Sequence, residues 1–253
     1  MSAVSDAENP LGWETCLYEF PDPEQADPEG IGLIAIGGDL SPSTVLTAYR
    51  QGLFPWFNDD EPLAWWSPDP RCVLEPCEFM PSKSLRKQVK KSDWTWTVNH
   101  DFEAVMLACR EPRDYTNETW INPQMLSAYL ELHKLEFAHS IEVWQTEEGK
   151  QQLIGGLYGL KIGGLFCGES MFHRQSNASK VAFWALTTLC QNTGVKLIDC
   201  QLPNDHLHSL GAIDIPRSQF LSELPNLVDL AIHQTNKTWL TSHPKPVASL
   251  YDS

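Results

Sequence analysis

The sequence is poor in basic residues. It has 18 Lys and Arg against 33 Asp and Glu, which gives a formal net charge of −15. Such an excess of negative charge argues against a protein that coats nucleic acid without sequence preference, because the phosphates repel it. A local basic patch remains compatible with this balance, and the sequence contains one.

Cysteine motifs are also missing. The seven cysteines are scattered and form no C-x-x-C pair, which argues against a disulfide framework and against a zinc cluster. The best pair of metal ligands is His206 and His208, but no further ligand at a matching spacing supports it. A nucleophilic Cys167 or Cys200 is a weak hypothesis, because cysteine is commonly a small buried hydrophobe. We therefore expect no metal site.

Long apolar runs and a targeting signal are absent as well. No apolar run is long enough to cross a bilayer, and residues 1–8 lack a basic segment followed by an apolar one. These features predict a cytoplasmic protein. At 253 residues, the chain has room for one large domain, or for a small domain beside a larger one.

Two acids lie in short apolar segments. Glu169 is inside residues 166–172, and Asp199 is inside residues 196–201. A carboxylate in such a setting must be paired, hydrogen-bonded or directed into a cleft, because burying it alone is too costly. Either each acid is the partner of a buried Arg or of backbone N–H groups, or the two acids form one side of a site. Their occurrence together favours a site.

Residues 81–92 are predicted to form a helix with one basic face. Leu85 and Val89 point toward the core, and the segment contains no acid. The basic residues that share the other face are Lys83, Arg86, Lys87 and Lys90. Like charges at these spacings repel one another, so the pattern favours an anion-binding surface, and a phosphate backbone is the natural anion.

An aromatic segment spans residues 54–71. Trp65 and Trp66 are predicted to pack in the core. Trp56 lies in a tight Phe-Pro-Trp corner and is suited to offer its ring face to a base or another flat ligand.

The order strand, strand, strand, helix, strand over residues 140–201 is that of an acetyltransferase-type core. Asn177 is predicted to cap the helix, which runs from Ala178 to about Cys190 and ends at Gly194. Such enzymes hold coenzyme A through a glycine-rich loop, and residues 172–177 contain no glycine. The segment therefore favours acyl transfer to an amine from a different donor with phosphates. Residues 1–30 are predicted to be loop with one short strand, and no order is expected after Thr241.

Eight motifs, in order, carry a resemblance to a known family. They are FPWF at 54–57, WWSPDPR at 65–71, TWI at 119–121, HSIEVW at 139–144, GGLYG at 155–159, FCGESMF at 166–172, NASK at 177–180 and LIDCQ at 197–201. With them, the chain resembles the bacterial leucyl/phenylalanyl-tRNA–protein transferases from about residue 32 to residue 216.

This resemblance implies a reaction and a fold. The enzyme would move Leu or Phe, and less well Met, from tRNA to the α-amine of proteins that begin with Arg or Lys, marking them for degradation. The fold would be α+β, with a small N-terminal α/β domain, residues 1–70, and an acetyltransferase-like (GNAT-type) domain with a mixed, largely antiparallel sheet, residues 71–253. We expect a monomer that uses no cofactor, neither coenzyme A nor ATP.

The resemblance also implies roles for particular residues. Glu169 would bind the basic side chain of the acceptor, and Asp199 with Gln201 would lie nearest the chemistry. Trp56 and Trp120 would hold the terminal adenosine. The donor side chain would lie among Leu157, Phe166, Phe183, Leu186 and Ile198. The tRNA would contact Lys83, Arg86, Lys87, Lys90 and Lys91.

Two other classes of protein remain open from the residues alone. One is a different aminoacyl-tRNA-dependent acyltransferase, such as a cell-wall peptide-bridge enzyme, and Glu169 favours a cationic acceptor over that alternative. The other is a non-catalytic RNA-binding module, against which the acids clustered in the acyltransferase core argue.

Overall fold

The computed structural model describes residues 15–111, 120–230, 239 and 243–251. Within these ranges, no helix is both long and apolar enough to span a membrane. The first part of the chain forms a small antiparallel sheet in the order β1-β3-β2 with two helices. Its elements are α1 Pro23–Ala26, β1 Leu33–Ile36, α2 Pro42–Arg50, β2 Phe54–Pro55 and β3 Ala64–Trp66. Helix α2 starts at Pro42 because Ser41 accepts a hydrogen bond from the Thr44 N–H and proline is tolerated in the first turn.

The rest of the described chain surrounds an eight-stranded sheet. Its strands are β4 Arg71–Leu74, β5 Thr95–Val98, β6 Ala138–Glu147, β7 Lys150–Ile162, β8 Leu165–His173, β9 Leu197–Gln201, β10 Ile213–Ile215 and β11 Lys245–Pro246. Its helices are α3 Lys83–Lys91, α4 Phe102–Arg110, α5 Pro123–Lys134, α6 Ala178–Thr193, α7 Asp205–His208 and α8 Arg217–Val228.

The strand order is β10-β4-β9-β8-β7-β6-β5-β11. Strands β8 and β9 run parallel, while the other neighbouring pairs are antiparallel. The parallel pair is joined through α6, since parallel neighbours need a crossover connection. The predicted α+β class and the mixed, largely antiparallel sheet are therefore confirmed, as is the predicted order of strands and helix over residues 140–201.

Helices pack on both faces of this sheet. Along β7, Leu157 and Tyr158 belong to different buried clusters, as the alternation of a strand requires. One cluster includes apolar residues of α2, α4, α5 and α8, and the other includes those of α3 and α6. Trp65 of the small sheet packs in the first cluster beside residues of the larger sheet. The domain boundary at residue 70 stays a prediction.

Three local predictions were wrong. Order does return after Thr241, because Val247 and Leu250 are buried on a 3₁₀ helix at Val247–Tyr251 that follows β11. The short strand expected before residue 30 is instead helix α1 within the described residues, with Asp22 as its cap. Asn177 occupies the cap position of α6 with φ of 70°, and its side chain donates to Gln88 Oε1 rather than capping the helix.

Candidate active site

A cavity of about 920 Å³ opens between the small sheet, strand β8 and helix α6. The segment after β9 closes one side of it, with Asn204, Asp205 and His206 in the wall. Eight of the residues to which the resemblance gives a role line this cavity: Trp56, Trp120, Leu157, Glu169, Phe183, Leu186, Ile198 and Gln201. Tertiary folding thus brings together one acid, two tryptophans and an apolar surface from distant parts of the chain.

Besides the basic residues of α3, two predicted site residues lie outside the cavity wall formed by the described residues. Phe166 is fully buried, and its ring stacks on that of Trp239 with centroids 5.7 Å apart. Asp199 has its side chain 1 % exposed and directed to the other face of β9. Strand alternation explains the difference, because Ile198 and Cys200, on either side of Asp199, do line the cavity.

Glu169 is half-buried and accepts three hydrogen bonds. Tyr49 donates to Oε1 over 2.7 Å, Tyr129 donates to Oε2 over 2.9 Å, and the Gln201 amide nitrogen donates to Oε1 over 3.0 Å. All three partners are neutral. Burial is the largest influence on the pKa of Glu169 and raises it, the three hydrogen bonds lower it, and the result is a pKa of about 7.

The two tyrosines complete a ring of oxygens. The Tyr49 and Tyr129 hydroxyl oxygens lie 2.6 Å apart, so three hydrogen-bond contacts join two hydroxyls and one carboxyl. When Glu169 is protonated, three protons serve these three contacts; when it is ionised, only two remain. Burial raises the pKa of both tyrosines well above the ordinary value, so both remain donors at neutral pH. The ring therefore suits a carboxyl that titrates near neutrality.

Gln201 connects the two acids. Its backbone N–H donates to Asp199 Oδ1 over 3.0 Å, and its side-chain nitrogen donates to Glu169. The residue has φ of 64°, a left-handed conformation that is costly for a residue with a side chain and is often found at functional sites. Because the amide nitrogen is engaged by Glu169, the amide oxygen of Gln201 is left to accept from a ligand.

Asp199 forms a buried ion pair with Arg71. The guanidinium donates from Nε to Oδ1 over 2.8 Å and from Nη2 to Oδ2 over 2.7 Å, in a bidentate arrangement. Arg71 also donates to the Gly52 carbonyl and lies over the rings of Phe54 and Phe220. Burial alone would lower the pKa of Arg71, but Asp199 more than offsets this and the pKa is raised. For Asp199, the buried-Arg alternative left open above is thus present in the structure.

Both tryptophans that the resemblance singled out lie at the cavity. Trp56 is 42 % exposed, although its backbone carbonyl accepts from Trp66 Nε1 over 2.7 Å and its ring packs edge-on against Trp66. Trp120 is partly buried in the same wall. An exposed aromatic face on a fixed backbone is suited to stacking a flat ligand.

Helix α3 has the predicted basic face. Ser82 caps it, Leu85 and Val89 are buried, and the basic residues Lys83, Arg86, Lys87, Lys90 and Lys91 are exposed. Gln88 ties α3 to the start of α6, because it donates to the Ser176 carbonyl over 2.9 Å and accepts from Asn177. The basic surface is therefore anchored to the loop that precedes a cavity-lining helix.

Tyr49, Tyr129 and the pairing of Arg71 carried no pattern from which their roles were predicted. Both tyrosines lie on the apolar faces of α2 and α5, where an aromatic residue is usually core. Arg71 did carry a signal, since it opens the apolar strand β4 and a buried Arg requires an acidic partner. The cysteine hypothesis loses support at Cys167, because burial raises the pKa of its thiol well above the ordinary value.

The fold and the cavity define a mixed α+β protein with a deep ligand site around a half-buried carboxylate. The family model for the leucyl/phenylalanyl-tRNA protein transferase matches residues 73–225, and the model for the N-terminal domain of that protein matches residues 38–69. The chain belongs to this family and is an aminoacyltransferase.

Curated relatives agree with this assignment. A leucyl/phenylalanyl-tRNA–protein transferase of Psychrobacter cryohalolentis is 54 % identical over 243 residues, covering 91 % of this chain and 86 % of the relative. The protein of the same name from Shewanella halifaxensis is 55 % identical over 210 residues, covering 83 % and 87 %.

Proposed function

We propose that this aminoacyltransferase moves Leu or Phe, and less well Met, from tRNA to the α-amine of proteins that begin with Arg or Lys. The product would be marked for degradation. We further propose that the enzyme acts in the cytoplasm as a monomer, that the transfer reaction uses no cofactor, and that the larger sheet is a GNAT-type core. The observation that carries the acceptor choice is Glu169, a carboxylate held by neutral partners in an otherwise largely apolar cavity.

The cavity offers a place for each part of the substrates. The terminal adenosine would lie against Trp56 and Trp120, while the donor side chain would enter the apolar part of the wall. That part is formed by Leu157, Phe183, Leu186 and Ile198. The acceptor's cationic side chain would pair with Glu169. Holding amine and ester in this geometry replaces a bimolecular encounter with a positioned one, which is the main requirement for an ester that is already activated.

Gln201, Asp199 and Glu169 would each contribute to stabilising or transferring the positive charge of the attacking amine. The amide oxygen of Gln201 would accept from the attacking amine as positive charge develops on it. Asp199 would act through Gln201, whose backbone it holds, because its own carboxylate faces Arg71. Asp199 is thus proposed as a positioning residue. Glu169 has a pKa of about 7, far closer to that of an α-ammonium than an ordinary Asp is. Were it not paired with the acceptor's side chain, it would therefore be the better matched group to receive a proton.

A transfer assay tests the proposed reaction. Radiolabelled Leu-tRNA is incubated with the enzyme and with a model protein that begins with Arg. Two matched control proteins are included, one with an acetylated N-terminal amine and one that begins with Glu. We expect label on the Arg-starting protein and on neither control. Label on the Glu-starting protein would contradict the proposed acceptor choice, and label on none of the three would contradict the reaction itself.

The basic face of α3 is expected to bind the tRNA. Lys87→Glu with Lys90→Glu should weaken binding of aminoacyl-tRNA and reduce the slope of log K against log salt by about 2, because each lysine releases about one counterion. Folding should be unchanged, since both side chains are exposed. A matched double reversal outside the helix, Lys134→Glu with Lys150→Glu, changes the net charge equally. If the two double variants weaken binding of aminoacyl-tRNA to the same extent, α3 is not the surface that binds the tRNA.

Phe183 is expected to set donor preference. Its ring lines the cavity and packs on Phe79 with centroids 5.5 Å apart. Phe183→Leu enlarges the space for the donor side chain without adding a polar group, so kcat/KM for Phe relative to Leu should rise by roughly tenfold. Phe102→Leu, in the other buried cluster, serves as the control. An unaltered ratio in Phe183→Leu would mean that this ring is only part of the core.

A further inference from the structure

Three side chains of different chemistry meet beside strands β4 and β10. They are Cys72, His208 and Asp214, and their ligand atoms all lie within 4.8 Å of one another. Cys72 and Asp214 are direct cross-strand partners in the antiparallel pair of β4 and β10. His208 ends helix α7, and its Nε2 lies 2.9 Å from Asp214 Oδ1. The cluster combines a thiol, an imidazole and a carboxylate.

This combination favours a transition-metal ion over Mg²⁺ or Ca²⁺. Thiolate, imidazole and carboxylate are the donors that Zn²⁺ takes in proteins, whereas Mg²⁺ and Ca²⁺ prefer oxygen and would leave a thiol unused. The His208 and Asp214 side chains are 40 % and 33 % exposed, so an ion has access from solvent. Cys72 is fully buried, so its thiol forms the inner end of the cluster. Three protein ligands leave a fourth tetrahedral position for water.

We propose that this chain binds one Zn²⁺ through Cys72 Sγ, His208 Nε2 and Asp214. Binding converts the thiol to a thiolate and releases its proton to solvent, while the imidazole coordinates in its neutral form. The sequence spacing gave no sign of this site, because residues 72, 208 and 214 come from three separate elements. The expectation of no metal rested on that spacing alone.

The position of the site gives the ion a structural role. Residues 204–207, which immediately precede His208, belong to the cavity wall, whereas Cys72 and Asp214 lie on strands of the sheet. A zinc ion bonded to all three fastens helix α7, and with it this wall, to the edge of the sheet. The ion stays outside the transfer chemistry, and its binding is measurable without any substrate.

Direct metal binding tests the proposal. Wild-type protein, kept reduced, is titrated with Zn²⁺ against a chromogenic chelator and, separately, with Co²⁺ in an absorption spectrometer. We expect one Zn²⁺ per chain and a sulfur-to-cobalt charge-transfer band in the near ultraviolet. His208→Gln and Asp214→Asn should each lower Zn²⁺ affinity by at least about tenfold, since even partners outside the ligand set contribute about this much. Cys72→Ser should abolish the charge-transfer band.

The controls separate this site from adventitious thiol binding. Cys77→Ser removes an exposed cysteine that lies outside the cluster and should leave affinity, stoichiometry and band unchanged. Zn²⁺ should raise Tm of the wild type and of Cys77→Ser but not of Asp214→Asn, because an ion bound only by the folded state stabilises it. Unchanged affinity in His208→Gln and Asp214→Asn overturns the proposal even if Cys72→Ser fails to fold. So does a wild type that takes up no stoichiometric Zn²⁺.

Discussion

Glu169→Gln is expected to raise KM for acceptors that begin with Arg or Lys by a factor that corresponds to about 2–5 kcal/mol, the usual cost of losing one partner of a desolvated ion pair. The substitution keeps the size of the side chain and removes its charge. Binding of aminoacyl-tRNA should be unchanged, since the basic surface of α3 is intact. Steady-state kinetics with an Arg-starting peptide, together with a tRNA-binding titration, measure both quantities.

Two further variants sharpen this result. Glu169→Asp keeps the charge and shortens the reach, so it should lose less than Glu169→Gln. Glu142→Gln removes a different buried carboxylate, one that Thr97 and Ser140 hold on β6, and should leave KM for the acceptor unaltered. If Glu169→Gln transfers Leu as well as the wild type does, Glu169 does not bind the acceptor. If it chiefly lowers kcat with KM kept, Glu169 serves as the proton acceptor instead.

The pH dependence follows from the pKa of about 7 at Glu169. Below that pH the carboxyl gains a proton and becomes neutral, so the attraction for a cationic side chain is lost and KM for an Arg-starting peptide should rise. In Glu169→Gln, KM for the same peptide should not change with pH over this range. The α-ammonium of the acceptor, with a pKa near 8, lowers the rate toward acid in both proteins and serves as the internal reference.

Asp199→Asn is expected to destabilise the protein by about 3–5 kcal/mol, because it leaves the buried Arg71 guanidinium without its charge partner. Urea unfolding measures this change. Where the variant remains folded, kcat should fall while tRNA and acceptor binding are largely kept, because Asp199 holds the backbone of Gln201. Stability and activity must therefore be measured at the same temperature.

A double variant separates the two effects of Asp199. Arg71→Met with Asp199→Asn removes the unpaired charge, and we expect it to be more stable than Asp199→Asn alone, since buried pairs replaced by neutral groups commonly cost little. Its kcat should remain low, because the contact to Gln201 is still altered. If Asp199→Asn unfolds at the same urea concentration as the wild type, the ion pair contributes nothing measurable to stability.

The sequence by itself determined the elements whose causes are local. The basic face of α3 and its two buried apolar residues follow from a spacing of three and four, which any helix converts into a face. The end of α6 at Gly194 follows from a residue that adopts positive φ without a steric cost. The carboxylate of Glu169 was recognisable too, because an acid within an apolar strand must have a special environment.

Only the tertiary structure decided which distant residues meet. Asp199 faces Arg71 because the register of β4 and β9 places them together, and a shift of one residue would have turned it toward the cavity. No local pattern predicts the Tyr49–Tyr129–Glu169 ring, which joins two helices to one strand. None predicts the cluster of Cys72, His208 and Asp214 either. Side chains far apart in sequence carry no periodicity in common, so their meeting is set by strand pairing and helix packing rather than by any pattern along the chain.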